Sequence, residues 1–381
     1  MKKRLIKFLK ITGLTLTIIL VLLALTTFLF MSISPQFGRK ANDKQKQQYK
    51  QTGHYSEGKF LNEEEIIMEI NCHSITSMLK GMLRPNPNVA PKENIEVLSI
   101  QAEQLTPKED SSTQLSWLGH SSFIIKIEGK VLLIDPVFSQ YAAPHPWLGR
   151  KRYNSKMPFE IENLAAIDGV ILSHDHYDHL DYASITQLKN KTKNFYVPLG
   201  VGNHLREWGV EDTLIHELDW WEEIDLDSIQ LALTPSRHMS GRGFTDQKAT
   251  LLGSWVIAGN YNKIYFSGDG GYGKHFAEIG KKYGPFDIGL IECGQYNKLW
   301  KNVHMVPEES VQAAIDVQVK TFLPIHWGAF ALSNHNWKEP VERAIRHAIK
   351  KQVKYTTPRI GEFIDLRHIQ TPSPNWWKEY N

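Results

Sequence analysis

The chain begins with its longest apolar run. Ile11 to Ile33 carries no charged residue, and it is longer than the about 20 helical residues that cross a bilayer core. No amphipathic period interrupts it, as one would in a helix packed on a soluble core. The pattern predicts a single membrane-spanning helix within residues 1–34. A cleaved signal peptide is the rival reading, but its apolar region is usually about 7–15 residues and ends in small residues. Here Ser34-Pro35-Gln36-Phe37 follows. Lys2, Lys3, Arg4, Lys7 and Lys10 precede the run, and Arg39, Lys40, Lys44 and Lys46 follow it. The positive-inside rule on that balance leans toward an extracytoplasmic main domain. Residues 35–54, polar and rich in Lys and Gln, read as a solvated linker.

Beyond the linker the periodicity changes twice. An acidic start at Glu63 to Glu65 with apolar Ile66, Ile67, Ile70, Ile75 and Leu79 predicts a helix over 63–83, and Pro85, Pro87 and Pro91 end it. From Leu115 the texture becomes that of strands. Phe123–Ile127 and Val131–Ile134, joined by Glu128-Gly129-Lys130, predict a β-hairpin. Further short strands are expected at Val170–Leu172, Ile229–Leu233, Ile264–Phe266, Asp287–Ile291 and Thr321–Ile325, with helices at Asp181–Leu188 and Glu308–Val319. Each strand stops at a polar loop bearing His or Asp. Side chains at such ends can converge from distant parts of the chain. The layout is therefore 1–34 anchor, 35–54 linker, 55–114 extension and 115–370 main domain.

Composition narrows the chemistry. Of 381 residues, 41% are hydrophobic and 22% charged, which is globular. The net charge of +3 lacks the strong basic excess of a nucleic-acid binder. Only Cys72 and Cys293 are present, which excludes a disulfide scaffold or a cysteine-rich zinc module. The 16 histidines point to metal or proton chemistry.

The densest signal is Ser173-His174-Asp175-His176-Tyr177-Asp178-His179, directly after a strand. In an extended loop residues i and i+2 face the same way, so His174 and His176 can share a metal. Asp178 and His179 fall at the turn into the next helix and can reach a second one. Imidazole with carboxylate suits zinc, and also iron or manganese. No GxSxG nucleophile signature is present.

This HxHxDH motif resembles that of the metallo-β-lactamase superfamily. Trp117-Leu118-Gly119-His120-Ser121-Ser122, Asp135-Pro136-Val137-Phe138-Ser139, Leu218-Asp219-Trp220-Trp221-Glu222-Glu223, Gly253-Ser254-Trp255 and Ile325-His326-Trp327-Gly328 look like its N-acylphosphatidylethanolamine-hydrolysing phospholipase D branch and the bacterial relatives of that branch. The resemblance covers roughly residues 115–365. It implies an α/β fold, the αββα sandwich, behind an N-terminal transmembrane helix, with two zinc ions between the sheets. His174, His176 and His238 would hold one zinc and Asp178, His179 and His326 the other, with Asp269 bridging. The implied activity is a phospholipase D-type phosphodiesterase acting on a glycerophospholipid. A lactonase or non-lipid phosphodiesterase on the same site is the alternative, and a membrane-anchored metal-binding protein without catalysis is the third reading. One departure is Gly270, where the branch usually has Thr after the bridging Asp.

Asp178, Asp269 and His304 are the expected catalytic groups. His304, before Pro307-Glu308-Glu309, either faces the substrate or caps the following helix. Asp135 is expected to support a metal-bound imidazole rather than bind metal. Arg242 is a candidate phosphate contact, because guanidinium matches phosphate. Trp220 and Trp221 are candidate lipid contacts, with core packing as the alternative. Trp147–Tyr153, basic and aromatic, suits anionic head groups.

Overall fold

The computed structural model describes residues 2–66, 76, 86–107, 112–369 and 375–381. Helix α1, Lys2–Ile33, is long and apolar enough to cross a membrane, and none of its residues is buried. The chain then turns onto the main domain. Helix α2, Asp43–Tyr49, is capped by Asn42, whose side chain accepts from the Gln45 N–H. Tyr49 ends this helix in the hydrophobic core, beside Tyr55 and Phe60 of the small hairpin β1 (Tyr55–Ser56) and β2 (Lys59–Phe60). This corrects the expected solvated linker: its polar residues face water on one side while Tyr49 packs on the other. The helix expected over 63–83 lies largely outside the described residues, and Glu63–Ile66 are not helical.

Two mixed sheets follow. The first contains β3 (Gln114–Trp117), β4 (Phe123–Ile127), β5 (Lys130–Ile134), β6 (Gly169–Ile171), β7 (Phe195–Pro198) and β8 (Ile215–Leu218) in that order. The second is built from β9 (Glu223–Leu226), β10 (Ile229–Thr234), β11 (Ser254–Ala258), β12 (Lys263–Phe266), β13 (Ile288–Glu292) and β14 (Phe322–Ile325), also in sequence order. The last strand, β15 (Phe363–Asp365), returns to pair with β3.

Alternation along the strands builds the layers. On β4 and β5, Ile125, Ile127, Leu132 and Ile134 join the core between the sheets, with Leu231, Leu233 and Trp255. Ile124, Val131 and Leu133 face the other way, onto helices α3 (Tyr182–Leu188) and α4 (Gly202–Glu207). Helices α5 (His275–Tyr283), α6 (Pro307–Asp316) and α7 (Glu339–Lys351) pack on the second sheet through Phe276, Ile279, Val311 and Ala344. Helix, sheet, sheet, helix is the expected αββα sandwich. The core also takes in Trp376 and Trp377, beyond residue 370.

Parallel pairing of β5 with β6, and of β13 with both β12 and β14, aligns the C-terminal ends of these strands. The loops that leave those ends therefore gather at one rim of the sandwich.

Candidate metal centre

Six strand ends supply this rim. Strand β3 leads to His120, β5 to Asp135, β6 to His174–His179, β10 to His238, β12 to Asp269 and β14 to His326. The seven residues expected as ligands are brought together there. His176 Nδ1 lies 3.0 Å from His174 Nε2 and 3.2 Å from His238 Nε2. His179 Nε2 is 3.0 Å from Asp269 Oδ2 and 3.5 Å from Asp178 Oδ2. His326 Nδ1 is 3.1 Å from Asp269 Oδ1. Asp269 Oδ2 also lies 3.9 Å from both His174 Nε2 and His238 Nε2, so this carboxylate stands between the two groups.

The donor set fits metal. Three imidazole nitrogens that face one another at these distances share at most one proton, so hydrogen bonding alone leaves lone pairs unmet. His179 Nε2, His326 Nε2 and Asp269 Oδ1 are buried without a hydrogen-bond partner, an arrangement that is costly unless a cation satisfies it. Burial holds His174, His238 and His326 well below the usual imidazole range and lowers His176. These rings are therefore neutral and free to ligate at neutral pH. Burial also raises Asp269 to about 7. His179 goes the other way: burial lowers it, but Asp269 and Asp178 together raise it well above the usual value. Asp178 falls well below the usual carboxylate range because His179 and His120 outweigh burial.

A supporting layer fixes these rings. His179 Nδ1 lies 2.6 Å from Asp135 Oδ2, as expected of a support. Asp135 itself accepts from Ser173 N at 2.8 Å. His120 Nε2 lies 2.8 Å from Asp178 Oδ2. Three non-glycine residues here have left-handed backbone: Asp135 at φ 39°, His120 at 56° and His326 at 65°. Such strain gathers where structure serves a site. Gly270 has a local reason. A Cβ there would sit 2.3 Å from Ser236 Oγ, which donates to the Asp269 carbonyl at 2.6 Å. Ser236 occupies the space that the expected Thr side chain needs.

His304 also reaches the centre. Its ring stacks 5.1 Å from His326 and lies 4.8 Å from His238. Its Nδ1 lies 2.9 Å from Glu292 Oε2. Sequence reasoning missed Glu292. It is fully buried at the last position of β13, and a carboxylate ending the apolar run Ile288–Ile291 was the available signal.

The expected substrate contacts fare differently. Arg242 is a correction. It is 3% exposed and donates to the carbonyls of Asp175, Leu180 and Gln36 at 2.6, 2.8 and 2.7 Å. Its guanidinium stacks 4.0 Å from the Tyr177 ring. It binds the metal loop to the segment after α1 instead of facing solvent. Trp220 is also corrected: it stacks on His54 at 4.6 Å and donates to the Leu252 carbonyl at 2.7 Å. Trp221 packs at the edge of the core, with Lys282 5.6 Å over its ring. Both are packing residues.

Fold and cluster define an αββα sandwich class with a candidate metal centre at its rim. The profile described as a beta-lactamase superfamily domain matches residues 130–327. An uncharacterized protein of Mycobacterium tuberculosis is 41% identical over 272 residues, covering 70% of this chain and 72% of that protein. The chain belongs to the metallo-β-lactamase superfamily. The Caenorhabditis elegans protein named N-acyl-phosphatidylethanolamine-hydrolyzing phospholipase D 1 is 29% identical over 275 residues, 68% of this chain and 77% of its own. Among solved structures, an isothiocyanate hydrolase from Delia radicum gut bacteria superposes with a TM-score of 0.52 at 20% identity, covering 68% of this chain and 99% of its own. That likeness concerns the fold.

Proposed function

We propose that this metal-dependent hydrolase carries two zinc ions and cleaves phosphodiester bonds of membrane glycerophospholipids in the manner of a phospholipase D. The observation that carries the metal reading is the convergence of six ligand groups, all but His176 buried, around Asp269, several with unmet lone pairs. In this reading His174, His176 and His238 would hold one zinc, and Asp178, His179 and His326 the other, with Asp269 available to both. Bound together, the two cations supply Lewis acidity and lower the pKa of a water toward about 7.

The chain's own residues set the rest. Asp135 holds His179 by its Nδ1, which commits Nε2 to the centre. His120 restrains Asp178. Glu292 engages His304 Nδ1, so Nε2 is the nitrogen left to hold a proton for the leaving group. The rim shields the rings from solvent, because six of the seven groups are buried and His176 is half-buried.

The lipid preference draws on two supports. The C. elegans relative bears a phospholipase name, and α1 is suited to hold the enzyme at a membrane. We assign residues 1–34 to a single-pass anchor and the main domain to the extracytoplasmic side. The test is the full chain in detergent, loaded with zinc and given N-acylphosphatidylethanolamine. Release of phosphatidic acid is expected. Lactone hydrolysis without phosphatidic acid would replace the lipid reading with the lactonase alternative.

A further inference from the structure

The end of α1 is clamped to the domain beside the metal loop. Trp208 donates through Nε1 to the Pro35 carbonyl at 2.7 Å, and Arg242 donates through Nε to the Gln36 carbonyl at 2.7 Å. The Arg39 N–H donates to His204 Nδ1 at 3.0 Å. An aromatic ladder continues inward. Phe30 meets Phe37 at 5.6 Å, and Phe37 meets Tyr177, between His176 and Asp178, at 6.4 Å. A rigid body held so closely to the helix exit must lie near the bilayer surface if α1 spans it.

Two domain loops flank this exit and expose large apolar side chains. Phe244 is 82% exposed, Trp147 68% and Leu148 51%. Trp147 stands 6.0 Å from Phe30. With Leu23 and Met31 of α1 these residues line a cleft of about 580 Å³ between helix and domain. Contiguous apolar exposure on this scale marks an interaction surface. The flanking charge is basic: Arg150 and Lys151 are exposed beside Trp147, and Lys40 reaches the Thr245 carbonyl at 2.9 Å. Tryptophan beside Lys and Arg is the composition of a membrane interface.

We propose that the loops bearing Trp147, Leu148 and Phe244 dip into the lipid leaflet from which α1 emerges, with Arg150 and Lys151 on anionic head groups. The metal rim then faces the bilayer at a fixed height. Lipid enters along the apolar cleft without leaving the membrane. This inference rests on the reading of α1 as a membrane span, and its occupant is the bilayer itself.

The test uses the full chain with Cys72→Ser, reconstituted into phosphatidylcholine vesicles containing phosphatidylglycerol. Cys293 is buried and does not label. An environment-sensitive fluorophore is attached in turn after Leu20→Cys, Phe244→Cys and Tyr261→Cys. Tyr261 is 63% exposed in the β11–β12 turn, at the end of the sheet away from the metal rim. With brominated lipid, the probes at positions 20 and 244 should be quenched severalfold, and the probe at 261 unchanged. If position 20 is quenched and 244 behaves like 261, the docking surface is wrong while the anchor stands. If position 20 is also unquenched, the anchor reading fails and takes the inference with it. A lipid-independent shift at 244 would assign the patch to a second protein copy and overturn the proposal.

Discussion

Glu292 Oε2 and His304 Nδ1 face each other across 2.9 Å at the edge of the metal centre. Burial drives the pair from both sides: it raises Glu292 well above the usual carboxylate range and lowers His304. The Met305 N–H donates to the other Glu292 oxygen at 2.7 Å, which fixes the carboxylate plane. Glu292 thus decides which nitrogen of His304 is presented to a substrate. Glu292→Gln keeps the shape and the Met305 contact but leaves a group that can neither give up nor take a proton. We expect kcat to fall about 10- to 100-fold, the range for losing such outer partners, with KM and metal content unchanged. Steady-state kinetics on bis(p-nitrophenyl) phosphate, paired with metal analysis, check this; wild-type kcat would make Glu292 a packing residue.

Asp269 reaches both halves of the cluster with its carboxylate oxygens. Asp269→Asn should therefore reduce bound metal from about two ions per chain to less than one. His238→Ala, which removes a member of the His174 and His176 group, should remove one ion. Turnover should fall at least about 100-fold in both. Inductively coupled plasma mass spectrometry on protein purified in detergent reads the ion count. Equal metal content in the two variants would contradict the bridging role.

Much of this centre is legible in the sequence, because its logic is local. His174 and His176 are two apart on an extended loop, and they do meet. The hairpin β4–β5 announces itself by a Glu-Gly turn between apolar runs. What escapes is set by neighbours far along the chain. Residues 35–54 look like a spacer because their polar majority hides Tyr49, whose partners are Tyr55 and Phe60. Arg242 looks like a phosphate ligand because an isolated guanidinium does not reveal that three carbonyls engage its Nε and Nη1. Glu292 is invisible as a functional residue until β13 places it beside His304. The short strand β9, Glu223–Leu226, alternates charge with apolar residues over a single turn-length and is recognisable only through its pairing with β10.

Arg242 offers a direct contrast between folding and substrate roles. Arg242→Met keeps much of the apolar stem but strands the Asp175, Leu180 and Gln36 carbonyls. Each unsatisfied buried group costs about 1–3 kcal/mol, so a loss of about 2–4 kcal/mol is expected after relaxation. The thermal midpoint in detergent should drop, while KM for a phosphodiester in the surviving fold stays at the wild-type value. A raised KM with an unchanged midpoint would restore the phosphate-contact reading.

His275 contributes acid sensitivity to the fold outside the metal centre. It is 4% exposed at the start of α5, against Phe276 at 4.1 Å. Burial, with Arg237 and Lys274 nearby, lowers it to about 3. The unfolded chain binds this proton at about pH 6.5, so unfolding takes up a proton between those values and stability falls as pH drops below about 6.5. A folded value near 3 leaves that loss unopposed at pH 5, where it amounts to about 2 kcal/mol relative to neutral pH. His275→Leu has no proton to take up and should flatten that part of the profile. Urea unfolding of both proteins at pH 7 and pH 5 measures the difference. Equal pH slopes would show that His275 is protonated in the folded state and that its burial is relieved by water.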